Sequence, residues 1–171
     1  MFHKYLKLVL AVGVTVLAVL QFIEENIGNG ILFLLLASIF VFLYFKNEIL
    51  LLAFLQMRKQ DMEGTAKWLD RIKNPEMSLI TSQQAYYHYL KAILLAQKNM
   101  TQAEKLFKKA LGLGLRMNHD IAMAKLNLAG IAMSKRRKRE ATTLLNEAKK
   151  LDKHGMLTDQ VKIMKDQLKK I

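Results

Sequence analysis

The chain has 171 residues, enough for one modest core plus an anchor, and 27 Lys and Arg against 14 Asp and Glu give a net charge of +13. Residues 1–57 hold three basic groups (Lys4, Lys7, Lys46) and three acidic ones (Glu24, Glu25, Glu48), so the whole excess lies in residues 58–171. A neutral apolar part is thus followed by a strongly basic one, and the absence of cysteine excludes a disulfide framework and a thiolate metal site.

Residues 5–23, YLKLVLAVGVTVLAVLQFI, contain one charge, Lys7, close to the end where its stem can reach an interface. As a helix they span roughly 28 Å, about the thickness of a hydrocarbon core. A signal peptide shares the basic start and apolar middle, but no small-x-small cleavage site follows and a second apolar segment comes within a few residues. The intervening EENIGNG, 24–30, has the composition of a tight turn outside the membrane.

The second apolar segment is continuous from Ile31 to Phe45, then meets Lys46-Asn47-Glu48. Carrying the span on to Met57 would bury Lys46 and Glu48 at about 2.5–3.5 kcal/mol each near the bilayer centre. Ending it at Tyr44-Phe45 places an aromatic pair and a lysine at the interface instead. The membrane is therefore expected to stop at the triplet. With no proline or glycine in 31–60, the helix is expected to run on through it, so that anchor and basic part share one rigid rod. Lys4 and Lys7 at the outer end of the first span, Lys46, Arg58 and Lys59 after the second, and no cation in the turn predict both termini on the cytoplasmic side.

The rest of the chain repeats. Ala103-x3-Phe107-x2-Ala110 returns as Ala141-x3-Leu145-x2-Ala148, and an earlier copy aligns Ala66 and Leu69 with Ala103 and Leu106. Each unit reads as a helix, a polar turn and a second helix, with a small residue where the two cross. The units cover about 47–74, 84–115 and 122–153. Beyond them Leu157, Val161, Met164, Leu168 and Ile171 form one apolar stripe over 156–171, the pattern of a helix that caps a solenoid. The expected organisation is all-α: a hairpin over 1–46, repeats over 47–155 and the capping helix.

These residues resemble the tetratricopeptide repeat family, whose pattern is carried by Tyr87, Leu90, Leu94, Ala103, Phe107 and Ala110 in the middle unit. The last unit supplies Leu128, Ala129, Ala132, Ala141, Leu145 and Ala148. In the middle unit Lys91 falls on the small position, and in the first Asp70 and Lys73 fall on apolar ones. The whole chain is similar to small bacterial inner-membrane proteins with a two-helix hairpin and such repeats. The resemblance implies a ligand groove lined by Ala85, His88, Ala92 and Leu95, then Met123, Leu126, Gly130 and Met133. Family members that grip a peptide carboxylate use groove Lys and Asn; here only Lys91 and Asn127 have that chemistry, and an apolar helix, an extended peptide or the chain's own cap suits the groove better.

Chemistry of its own is not expected. His3, His88, His119 and His154 have no ligand or nucleophile spacing, His119-Asp120 reads as loop, and GLG at 112–114 reads as a helix cap rather than a phosphate loop. No cofactor, metal or small-molecule substrate is implied. Lys135, Arg136, Arg137, Lys138 and Arg139 form a run of five cations on the turn of the last unit, where they would add little to the core and could meet anionic lipid, ribosome, RNA or an acidic protein. The reading is a non-enzymatic, two-span scaffold of the bacterial inner membrane that holds a protein partner in the cytoplasm. Its alternative is an electrostatic binder of polyanions at the membrane surface.

Overall fold

The structure, a computed structural model, describes residues 4–45 and 47–170, the side chains of 4–7 and 43–45 excepted. Among the described residues all regular structure is helical. The chain divides into two compact units, residues 1–51 and 52–171, a boundary that falls inside a helix rather than at residue 46.

The first unit is a hairpin of α1 (Lys4–Ile23) and α2 (Ile27–Phe45). Its seam repeats every three or four residues: Ala11, Val14, Ala18 and Gln21 on α1, Gly30, Phe33, Ala37 and Phe40 on α2. Ala18 is fully buried and Ala11 and Ala37 nearly so, because small residues let two backbones approach closely. The expected turn at 24–30 is shorter than its composition suggests. Asn26 N–H donates to Gln21 O and Glu25 N–H to Phe22 O, a Schellman end with Glu25 left-handed at φ 60°. The two glycines are already helical, and a Cβ at Gly30 would lie 2.8 Å from the Phe22 ring. Gly30 is there to accept that ring, so α2 begins at Ile27 rather than Ile31.

Among the described residues no helix is long and apolar enough to cross a membrane. The expected spans, 5–23 and 31–45, run at their outer ends into Tyr5–Lys7 and Leu43–Phe45, whose side chains lie outside the description, as do Lys46 and Ile171.

The helix does not continue through the polar triplet. α2 ends at Phe45 and α3 (Glu48–Arg58) starts afresh, with Asn47 Oδ1 accepting from Ile49 N–H at 3.0 Å and Leu50 N–H at 3.3 Å. A short amide that satisfies the first N–H groups of a new helix competes with continuation of the old one. The rigid rod expected over 31–60 is therefore two helices.

From α3, whose second half opens the second unit, the helices follow in three pairs. α3 meets α4 (Met62–Asp70) where Thr65 Oγ1 lies 3.5 Å from Ala53 O, and α5 (Pro75–Ser78) is one turn leading into α6 (Thr81–Leu95) and α7 (Met100–Leu113). α8 (Asn118–Ser134) pairs with α9 (Lys138–Leu151), and α10 (Thr158–Lys169) follows. The N-cap positions of the second helices are Asp61, Asn99 and Arg137, at a constant spacing of 38 residues. Asp61 and Asn99 accept from Gly64 and Gln102 N–H, as good N-caps do.

Counting from those caps corrects the register of the first pair. Thr65, Ala103 and Ala141 occupy one position and are fully buried, whereas Ala66 is half-buried. Leu69, Phe107 and Leu145 follow, then Ile72, Ala110 and Ala148, so Leu69 and Ile72 fill the apolar places assigned to Asp70 and Lys73. A threonine fits the crossing because its hydroxyl donates to Asp61 O at 2.7 Å, leaving no unpaired polar group. On the first helices the fully buried small residue nearest the cap is Ala53, Ala92 and Ala129. Lys91 is not that residue: it is half-buried, and Ala92 takes the place seven residues before its cap, where Ala53 and Ala129 stand eight before theirs.

Phe107, Leu69, Leu90 and Leu145 are the large side chains of the core, each worth about 1.5–3 kcal/mol on burial. Edge-on contacts of Phe54 with Tyr86, Tyr86 with Tyr89 and Tyr89 with Phe107 link the first two pairs at 6.2–6.5 Å. Gly114, left-handed at φ 88°, ends α7 as the GLG reading anticipated.

Candidate interaction surfaces

The residues expected to line one groove separate into two groups. Met123, Leu126, Asn127 and Gly130 border a cleft of about 330 Å³, together with Ala96, Met100, Ile131, Ser134, Gln160 and Met164. Met133 lies beside an adjoining cleft of about 430 Å³. Ala85, His88 and Ala92 are instead buried in the second pair, and Lys91 and Leu95 are half-buried outside either cleft. The one-residue shift of α6 accounts for this, since it turns the expected groove face of that helix inward.

α10 closes part of the groove that remains. Leu157, Val161 and Leu168 join the core formed by Ala122, Leu126, Ala129, Met133, Ala141 and Leu145, with Met164 packed against it. A Cβ on Gly130 would lie 3.5 Å from Met164 Cε, so the methionine tip rests over the glycine. Met100, Gln160 and Met164 come from elements that the repeat pattern does not assign to a groove. The apolar stripe of α10 was the visible signal for Met164; nothing in the sequence pointed to Met100 or Gln160.

The two polar groove candidates bond locally. Asn127 Nδ2 donates to Met123 O at 2.8 Å, one turn back on its own helix. Lys91 Nζ lies 3.3 Å from Tyr87 Oη and over that ring, 5.5 Å from its centroid. They do not converge on a carboxylate-sized site.

The basic run is divided by its turn. Arg136 is left-handed at φ 56°, with Arg136 N–H donating to Met133 O and Arg137 N–H to Ala132 O. Lys135 Nζ then reaches Glu104 at 2.6 Å and Arg137 reaches the same carboxylate at 3.0 Å, while Lys108 approaches it at 2.8 Å. Glu104, only 12 % exposed, therefore ties α7 to the turn between α8 and α9. The hydrogen bonds from Lys108 and Lys135 hold its carboxyl well below the usual range, at about 2. Arg136, Lys138 and Arg139 stay exposed, with no ion pair among the described residues.

Lys135 and Arg137 thus have a partner across the joint, which the expectation that all five cations are dispensable to the fold did not include. Replacing Arg136, Lys138 and Arg139 with Gln lowers the charge from +13 to +10 and is expected to change stability by under about 0.5 kcal/mol per site. Replacing Lys135 and Arg137 as well leaves Glu104 with Lys108 alone and is expected to lower stability further. Urea titrations of the two variants check this. Because the folded value of Glu104 is depressed, its contribution is complete above pH 4.5 and is lost as pH falls toward about 2.

His88 is 6 % exposed, edge-on to Tyr87 at 5.4 Å, and both ring nitrogens lack a hydrogen-bond partner in the protein. Burial lowers its pKa, Lys109 and Lys91 add to the shift, and Glu76, paired with Lys109 at 3.0 Å, opposes it. The unfolded chain thus binds the proton first. Stability from this residue is complete above pH 6.5 and falls on acidification, by at most about 1.4 kcal/mol per pH unit. Denaturant midpoints at pH 7 and 5.5 should differ more for the wild type than for His88→Phe.

His119 and Asp120 lie in the first turn of α8 rather than in a loop. Asp120 is buried, hydrogen-bonded to Tyr86, and raised by burial, with its second oxygen unpaired. The two histidines are held on different elements. Among the described residues no three His, Asp or Glu side chains are grouped to hold a metal ion.

No family model, curated protein or solved structure matches this chain.

Proposed function

We propose that the chain is a membrane-held helical-repeat scaffold without chemistry of its own. The hairpin would anchor it in a bacterial inner membrane with both termini in the cytoplasm, and the helix pairs would engage a protein partner there. One observation carries the reading. Away from the α1–α2 seam, large apolar side chains on every side of the hairpin are exposed, among them Val9, Val12, Val16, Val19 and Ile23 on α1 and Ile31, Leu32, Leu35, Ile39 and Phe42 on α2. A surface of that extent is unfavourable in water by about 25 cal/mol per Å² and neutral in hydrocarbon. α6, α8 and α9 expose no large apolar side chain, as suits helices facing an aqueous phase.

Resemblance to the tetratricopeptide pattern is supported by the three helix pairs, the 38-residue cap spacing and the buried small residues at each crossing. The partner-facing region under this reading is the methionine-bordered cleft between α7, α8 and α10. Because the chain lacks cysteine, a single one can be introduced at will. A cysteine at Asn26 is expected to react with an impermeant maleimide in intact cells, while one at Met156 reacts only after permeabilisation. Extraction of the protein by alkaline carbonate, or labelling of Met156→Cys in sealed cells, would overturn the reading.

Polyanion binding is the second reading, favoured by the three exposed cations of the last turn. It requires binding that weakens steeply with salt and that the Arg136, Lys138, Arg139 replacement removes.

A further inference from the structure

Exposed leucines in the repeat region are confined to one helix. Leu51, Leu52 and Leu55 on α3 are 38–46 % exposed, while α6 and α8, the corresponding helices of the later pairs, expose no large apolar side chain. At about 100° per residue these three share one arc of the helix with Arg58 and Lys59, both exposed. Ile49, Leu50 and Ala53, on the opposite side, are buried. α3 is thus buried along one face and leucine-covered along the other, with two cations at the end of the leucine face.

We propose that this face lies on the phospholipid surface, the leucines at the acyl boundary and Arg58 and Lys59 at the phosphates. The proposal rests on the membrane reading of the hairpin. Given that reading, the chain leaves little choice of occupant. Only Lys46 and Asn47 separate α2 from α3, and two residues span at most about 7 Å. The N-terminus of α3 must therefore start at the level where α2 leaves the bilayer. Asn47 caps a new helix at that level, with its Oδ1 accepting from Ile49 and Leu50 N–H. An amphipathic helix so placed buries its apolar face about 5–10 Å deep and lets Arg and Lys stems reach back to the headgroups. The first pair would then be seated on lipid where each later pair is seated on its predecessor.

The test uses the full chain in vesicles of phosphatidylcholine and phosphatidylglycerol, with a nitroxide on one introduced cysteine at a time: Val16, Leu52, Leu55 or Met77. Relaxation by oxygen and by a water-soluble nickel chelate reports depth. Val16 should be open to oxygen and closed to nickel. Leu52 and Leu55 should also favour oxygen, at shallower depth, and Met77, 88 % exposed, should favour nickel. A lipid-type signal at Val16 with nickel access at Leu55 overturns the proposal and leaves the membrane reading standing. Closure of Leu52 and Leu55 to both reagents also overturns it, and dipolar broadening would then identify a second copy as the cover. Nickel access at Val16 overturns the membrane reading and the proposal with it.

Discussion

Ala141→Arg is expected to unfold the last helix pair. Ala141 has no exposed surface and sits where α9 crosses α8, in contact with the core of Ala129, Leu145 and Val161. A guanidinium there must either force the helices apart or leave a charge buried without a partner, and the two penalties together come to about 4 kcal/mol or more. Loss of the cooperative melt, or a drop in its midpoint of many degrees, is the readout. The same experiment decides the register of the first pair. Thr65→Arg should be as damaging as Ala141→Arg, whereas Ala66→Arg, half-buried one residue on, should be mild. Equal effects at 65 and 66 would mean that the 38-residue spacing does not extend to α4.

Ending the chain at Gly155 is the second large perturbation. α10 contributes Leu157, Val161 and Leu168 to the core, and side chains of that kind give about 1.5–3 kcal/mol each on burial. Their loss exposes Leu126, Met133 and Leu145 in one patch, so the shortened chain should unfold several kcal/mol earlier and self-associate. It should also widen the cleft, because Met164 no longer rests over Gly130. A shortened chain with unchanged stability and no association would show that α10 is not a cap.

The helical class, the positions of the pairs and the stripe of α10 were legible because each rests on a period that a helix enforces. What escaped the sequence was register. Ala66 and Thr65 are neighbours of similar size, and only the Asp61 cap, with the hydroxyl bond to its carbonyl, shows which one faces inward. The break at Asn47 was hidden for a related reason: it is made by one amide oxygen and needs neither proline nor glycine. The groove was read least well, since α6 stands one residue out of step with the other first helices, burying Ala92 seven rather than eight residues before its cap. The basic run was visible as charge, but the partner of two of its members lies more than thirty residues earlier, at Glu104.

That carboxylate has a mechanical consequence. On the turn side, the joint between the second and third pairs carries ion pairs from Lys135 and Arg137 to Glu104. Packed side chains resist displacement steeply, whereas charges part-way into solvent attract over a longer and gentler range. Such a joint is compliant, and ions in the surrounding medium compete for it. The curvature of the array at this point is therefore expected to respond to ionic strength, as small-angle scattering at low and high salt would show.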